Sequence, residues 1–285
     1  PTFRFSWSSF HYMWGFGWKL MLSGLLNNIW NQLYQVVVGK FYSPATLGQY
    51  SRSRQFANLF SENFTSIIQR VSYPALANIQ NDKDRMVAAY RKVIKMTMFV
   101  TVTVLFALGA SAEPFIYCLI GPKWNEAASF LPLICITLTL YPLHAINLNM
   151  LQILGRSDIF LYLEIIKKII ALIPIGLGIF VGIYWMLVGS IFTGLISFFL
   201  NSWYTGKKLH YNSWMQLKDV SSAYGIATLL ATCIFFIKFL PISYWIVLAL
   251  QFLVGLAVLL SIGEIAKPKE YVEIKSIIMS YIHKK

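Results

Sequence analysis

Charge is what this sequence has least of. Only 12% of its 285 residues are charged, against roughly a quarter in soluble domains, and 57% are hydrophobic. A soluble domain of this length has nowhere to hide that much apolar surface, which excludes an ordinary cytosolic enzyme. Acidic residues are scarcer still, 11 against 24 basic ones. The resulting net charge of +13 invites a nucleic-acid reading, yet the basic residues fall in short clusters between apolar runs rather than on one polar face. Cys118, Cys135 and Cys233 sit singly within apolar stretches, so neither a disulfide nor a metal site is inferred, and no cofactor is called for. Strand alternation, low-complexity tracts, G-x-S-x-G, a P-loop and H-E-x-x-H are all missing from the sequence. Asp82-Lys83-Asp84 has the form of an acidic nucleotide-sugar motif but is read as the capped start of a helix. The chain begins at Pro1 without the regions of a signal peptide and is expected to be a fragment.

What is present is a series of long apolar stretches. The fold class expected is all-α integral membrane, with about eight transmembrane helices near 15–40, 45–78, 84–120, 124–154, 158–181, 184–206, 218–238 and 241–263. Gly121 and Pro122 end one helix, Gly155 another, and Arg156 and Asp158 return the chain to water. Residues 1–14 suit an interfacial linker. Residues 15–209 form a six-helix unit and 210–263 two further helices, leaving 264–285 as a basic tail with Tyr271, Ile274, Ile278 and Tyr281 along one side, the pattern of a membrane-surface helix. If the loops alternate between two sides, one side receives Arg4, Lys19, Arg70, Lys83, Arg85, Arg91, Lys92, Lys95, Arg156, Lys207, Lys208, Lys218 and the tail lysines, Lys284 and Lys285 among them. The other receives only Lys40, Lys123 and Lys238, with Arg52 and Arg54 just inside a helix. Positive loops stay cytoplasmic, so both ends are expected there.

Polar groups within the apolar stretches are the site candidates. Asn27, Asn28, Asn31, Gln32 and Gln35 share roughly 140° of the first helix at 100° per residue, opposite Leu26, Trp30, Leu33 and Val37. Arg54, Asn58, Ser61, Glu62, Thr65 and Gln69 share a comparable arc of the second, with Arg54 and Glu62 as an ion-pair candidate. Two readings stand open: hydrogen bonding between helices, with Arg54 snorkelling, or a watery cavity lined by cations and amides. In the fifth helix Glu164 precedes Lys168 in the favourable i to i+4 order, and Lys167 and Lys168 either reach a phosphate or snorkel to anionic lipid. Pro174, Gly176, Gly178 and Gly182 should bend that helix or pack it closely. Thr137, Tyr141 and His144 form one stripe of the fourth helix. His144 is either a proton-coupling group or a packing residue.

Gly121 and Trp124, Leu151-Gln-Ile-Leu-Gly-Arg-Ser-Asp158, Ser43-Pro-Ala-Thr-Leu-Gly-Gln-Tyr50 and Val71-Ser-Tyr-Pro-Ala-Leu-Ala-Asn-Ile-Gln-Asn-Asp82 together extend over most of the chain. In order and spacing they resemble the polysaccharide transporter family, the O-antigen and exopolysaccharide lipid flippases of the multidrug/oligosaccharidyl-lipid/polysaccharide exporter superfamily. The resemblance implies two lobes of six helices, of which this chain would carry the second plus two C-terminal helices. It also implies a transporter of the bacterial inner membrane rather than an enzyme. Its substrate would be undecaprenyl-diphosphate-linked oligosaccharide, moved by alternating access during surface polysaccharide or lipopolysaccharide biosynthesis. Partners would be that lipid-linked oligosaccharide, membrane lipids and the polysaccharide biosynthesis machinery, with no nucleic acid. An integral membrane polymerase or lipid glycosyltransferase, and a drug exporter of the same superfamily, are the alternatives. Every loop on the less basic side is short, which disfavours the enzymes, and few membrane carboxylates are present to hold a cationic drug.

Overall fold

In the computed structural model residues 6–282 are described, apart from the side chains at 277, 278, 281 and 282. The expectations for Arg4, Ile278, Tyr281, Lys284 and Lys285 therefore lie outside the described residues. Among the described residues every regular element is helical, and all eight apolar stretches form rods. The first is α1, Trp7–Phe41. It starts well before residue 15 because Ser6 accepts a hydrogen bond from the Ser9 amide at 3.4 Å and caps it. The second comprises α2 (Pro44–Asn58), a π-helical turn (Leu59–Asn63) and α3 (Phe64–Asn78). The third comprises α4 (Lys83–Ala110) and α5 (Ala112–Ile120). Asp82 caps α4 by accepting from the Arg85 amide at 3.1 Å, the capping role read for this acidic cluster. The fourth runs through a 3-10 turn (Pro122–Trp124), α6 (Asn125–Leu138) and α7 (Tyr141–Ile153).

The fifth rod breaks into α8 (Ser157–Ile170) and α9 (Leu172–Phe180). Pro174 lacks the N–H that would have answered a carbonyl at the junction, so the expected bend falls one turn before it. Gly178 lets this rod approach the sixth, since a Cβ there would come within 2.9 Å of the Met186 sulfur; Gly176 faces open space and Gly182 makes the turn at φ +144°. The sixth rod is α10 (Ile183–Leu209) and the seventh is α11 (Ser213–Phe235) with a 3-10 turn (Phe236–Phe239). The eighth is α12 (Tyr244–Ala266), followed by α13 (Lys269–Ile282). Five rods, the third, fourth, sixth, seventh and eighth, contain helices long and apolar enough to cross a membrane. The other three carry the polar positions around Asn27, Arg54 and Glu164.

Rods that are distant in sequence run side by side in the same direction. Lys168 bonds Asn27 and Tyr42 bonds the Gly178 carbonyl, so the first and fifth rods rise together. Ser53 donates to the Ala127 carbonyl and Ser61 to that of Leu138, both at 2.8 Å, pairing the second with the fourth. Arg91 meets Asp219 and Phe106 meets Tyr224, pairing the third with the seventh. The tail departs from the surface-helix expectation. Tyr271 and Ile274 of α13 pack against Phe99, Ala223 and Leu259 of the bundle, and Lys92–Glu273 (2.7 Å) and Lys95–Glu270 (3.9 Å) tie it to α4. Gly263 makes this possible, because a Cβ there would lie 2.4 Å from the Tyr271 ring.

Asn147 is the polar centre of the bundle. Its Oδ1 accepts from Tyr90 and Thr205, each at 2.8 Å, and its amide donates to Gln216 Oε1 at 2.9 Å, joining the third, fourth, sixth and seventh rods. All four side chains belong to fully buried residues. Asn147→Leu should cost on the order of 2 kcal/mol, because the buried Tyr90 hydroxyl and Gln216 Oε1 lose their partner, while Thr205 keeps the Ser202 carbonyl at 3.2 Å. Thr101→Val, which removes a buried hydroxyl that has no partner, should cost almost nothing. Unfolding midpoints of the two variants in detergent check this, and equal midpoints would deny Asn147 its special place.

Candidate functional site

The three polar rods meet the fourth and sixth around one cavity of about 350 Å³. From α1 it takes Asn27, Asn31 and Tyr34, an i, i+4, i+7 ridge. Asn28, Gln32 and Gln35 form the next ridge around the helix and are not part of the lining; the first two are exposed and the third is half-buried. The polar arc predicted for α1 is thus twice as wide as the part that faces the cavity.

The second rod contributes Tyr50, Arg54 and Glu62. At about 100° per residue, Glu62 would sit about 80° around the helix from Arg54. The π turn at Leu59–Asn63 advances less per residue and brings Glu62 back to the cavity side. The phase change also takes Thr65 and Gln69, which follow the turn, off the predicted arc; Asn58 precedes the turn and is not affected by it. Asn58 and Thr65 keep buried oxygens without partners away from the lining. Gln69 lies in a separate hollow with Arg70, Tyr73, Asn149 and Gln152. The expected Arg54–Glu62 ion pair does not form among the described residues. Arg54 instead donates to Asn31 Oδ1 at 3.1 Å and to the Tyr50 hydroxyl at 3.4 Å, both neutral. Arg52 lies off the cavity, donating to Gln55 at 2.9 Å and facing the Trp124 ring.

The fifth rod supplies Glu164, Lys167 and Lys168. The Glu164 carboxylate is 7% exposed and holds both lysines, Lys167 in direct contact and Lys168 at 3.6 Å. Lys168 also donates to Asn27 Oδ1 at 2.8 Å, stitching this charge cluster to α1. The two lysine side chains are only 12% and 15% exposed, so they point into the bundle instead of snorkelling outward. On the fourth rod Thr137, Tyr141 and His144 line the cavity together, as their stripe predicts. His144 Nδ1 lies 3.2 Å from the Asn201 amide of α10.

Sequence reading missed Tyr34, Tyr50 and the α10 wall, Ser190, Thr193 and Ser197. The α10 signal was available, since those three hydroxyls recur at i, i+3 and i+7 around Gly194 within the apolar run from Ile183 to Leu200. The assembled lining carries three cations, Arg54, Lys167 and Lys168, against two carboxylates, Glu62 and Glu164. Two of the cations share one carboxylate, and Arg54 has only neutral partners. Such a chamber suits an anionic, hydroxyl-rich guest, with guanidinium and ammonium groups for phosphate oxygens and amides for sugar hydroxyls.

Comparison with known proteins points the same way. Residues 1–129 match the model of a family described as "Polysaccharide biosynthesis protein". The chain is 24% identical over 178 residues to the lipopolysaccharide biosynthesis protein WzxC of Escherichia coli (strain K12), covering 62% of this chain and 36% of that protein. It is 26% identical over 137 residues to the succinoglycan biosynthesis transport protein ExoT of Rhizobium meliloti (strain 1021), covering 48% and 28%. It is also 30% identical over 121 residues to a Klebsiella pneumoniae protein described as an uncharacterized membrane protein in the cps region, covering 42% and 25%. The matched regions span less than half the length of these relatives. The fold is similar to part of a solved structure described as the lipid II flippase MurJ, inward closed conformation, with a TM-score of 0.73 at 16% identity over 93% of this chain and 56% of that one. These findings bear out the resemblance to the polysaccharide transporter family and the all-α integral membrane exporter fold.

A water-filled chamber makes a direct prediction. In a background with Cys118, Cys135 and Cys233 replaced, single cysteines at Asn31, Ser190 and Ser197 should react with a small hydrophilic maleimide in native membranes. One at Thr101, which is fully buried outside the cavity, should react only after denaturation. Protection of all three lining positions would mean that the chamber is dry.

Proposed function

We propose that this chain, a relative of the polysaccharide-biosynthesis transporters, is the second lobe, with two further C-terminal helices, of a two-lobe flippase for lipid-linked oligosaccharide. In this reading residues 15–209 are a six-helix lobe and 210–263 two additional helices, both ends are cytoplasmic, and the membrane is the bacterial inner membrane. The substrate is an undecaprenyl-diphosphate-linked repeat unit for surface polysaccharide. Its diphosphate and sugars occupy the cavity while the lipid tail stays in the bilayer, and no covalent bond changes. The carrying observation is Arg54, a cation in the chamber held only by Asn31 and Tyr50. Arg54 is half-buried and its hydrogen-bond partners are neutral among the described residues, so a pyrophosphate oxygen arriving there gains a charge-assisted, bidentate partner. Lys167 and Lys168 add a second cationic point, with Glu164 releasing part of its hold as the phosphate takes over. Asn27, Asn31 and the α10 hydroxyls suit sugar hydroxyls, and His144 is the group that would titrate if transport is coupled to protons.

Orientation follows from the basic turns. Cysteines at Asp82, Ser157 and Asn212 should be labelled only from the cytoplasm, and one at Thr46 only from outside. Labelling of position 82 from the periplasm in intact cells would reverse the topology.

Transport is tested at Arg54 in the full-length protein. Arg54→Ala should abolish glycan export at normal membrane levels, and Arg54→Lys should keep part of it, because a lysine supplies charge without the planar fork. Normal surface polysaccharide from a stably expressed Arg54→Ala protein would remove the phosphate-binding role.

A further inference from the structure

A hollow of about 370 Å³ lies between α3 and α7. It adjoins the chamber, because Ser66, Asn149 and Gln152 in its walls follow the chamber residues Glu62, Ala145 and Leu148 by four positions each, one helical turn or about 6 Å further along their rods. That direction leads to the turn at 79–82, the end of the second rod that the orientation proposed above places at the cytoplasm. Gln69, Arg70 and Tyr73 complete the walls with Pro74, the one apolar residue in them. Among the described residues the side chains of Gln69, Arg70, Tyr73, Asn149 and Gln152 carry no hydrogen bond or ion pair. Pro74 adds a backbone acceptor, since it has no N–H to answer the Arg70 carbonyl one turn back. Tyr73 packs against the core of the bundle, which holds its phenol at the wall.

We propose that this hollow is a second saccharide subsite, holding sugars at the far end of the glycan whose diphosphate lies at Arg54; the inference rests on the flippase reading above and extends its substrate to a chain of several sugars. The lining contains no carboxylate, so a cation has nothing to pair with, and a single proline gives an acyl chain little apolar surface to bury against. A group presenting many hydroxyls, each at once donor and acceptor, is what the walls can satisfy. Three amides and a guanidinium meet such hydroxyls, the Tyr73 phenol adds a donor and acceptor, and the Arg70 carbonyl accepts one bond more. Distance selects the far end of the glycan. Gln69 follows Arg54 by fifteen residues, about 22 Å along the rod, a span that a diphosphate with one sugar cannot bridge and an oligosaccharide can. Held at both points, the substrate gains affinity as its glycan lengthens.

The test is native mass spectrometry of the full-length protein with two lipids, undecaprenyl-diphosphate carrying one N-acetylglucosamine and undecaprenyl-diphosphate carrying the complete repeat unit of the host strain. The native protein should hold the complete unit about tenfold more tightly, two added hydrogen bonds being enough for that. Gln69→Leu/Gln152→Leu should remove this preference and leave single-sugar binding unchanged, whereas Arg54→Ala should weaken both lipids. Should the leucine variant fail to fold, Asn149→Cys in the background without native cysteines gives a second reading. It should react with a hydrophilic maleimide and be protected by the complete unit but not by the single-sugar lipid. Equal binding of the two lipids by the native protein, an unchanged preference in the leucine variant, or an Asn149→Cys thiol that is unreactive or that the two lipids protect equally would overturn the subsite and leave the chamber reading standing. Binding of neither lipid by the native protein would bring down the chamber reading and the subsite with it.

Discussion

Within a bilayer a polar group either finds a partner in the protein or faces enclosed water, and this bundle divides its polar residues between those two fates. Asn147 represents the first. Its side-chain oxygen and amide are both used, and it is fully buried among the rods it joins. Asn31 and Arg54 represent the second, bonded to each other but open to a chamber. The two asparagines are chemically identical, and what separates them is whether four helices or empty space surround them. The closed network fixes the third, fourth, sixth and seventh rods as one block, and the first, second and fifth are set against it.

Charge is handled with similar economy. Glu164 compensates two lysines with one carboxylate, so the cluster stays cationic after pairing. Full neutralisation would stabilise the empty bundle and leave nothing for an anion. An arrangement one counterion short keeps the desolvation cost of the lysines bearable while preserving attraction for a guest. At the ends of the rods the pairing is more generous. Asp219 accepts from Arg91 and Tyr211 and lies 3.3 Å from Lys95, and the tail helix closes over the same region through Glu270 and Glu273.

Much of this was legible in the sequence. Eight rods, their turns at Gly121, Gly155 and Gly182, and the break near Pro174 follow from apolar length and from residues with restricted or unusual backbone freedom. The stripe Thr137, Tyr141 and His144 lies where its spacing puts it. Other features were hidden for physical reasons. A π turn has no composition signature, so Thr65 and Gln69, which follow it, lie a fraction of a turn from where regular helical spacing puts them. Amphipathic spacing defines a polar side without saying which of two adjacent ridges meets a partner, which is why Asn28, Gln32 and Gln35 were grouped with Asn27 and Asn31. The tail shows the same ambiguity in reverse. An apolar edge flanked by lysines fits a lipid surface or a protein surface equally, and only Gly263 hinted that Tyr271 had a place to go.

The side-by-side arrangement of sequence-distant rods has a consequence for how the protein is made. Asn27 waits for Lys168, 141 residues further along, and at the usual 5–20 residues per second that is a delay of roughly 7–30 s. Throughout it the first two rods, with their amides and Arg54, are already synthesised but have no fifth rod to lean on. Their modest hydrophobicity then works against prompt release into lipid, and they can linger near the insertion machinery until the later, more apolar helices arrive. The polar faces that line the chamber in the finished molecule are thus on segments made long before the residues they bond.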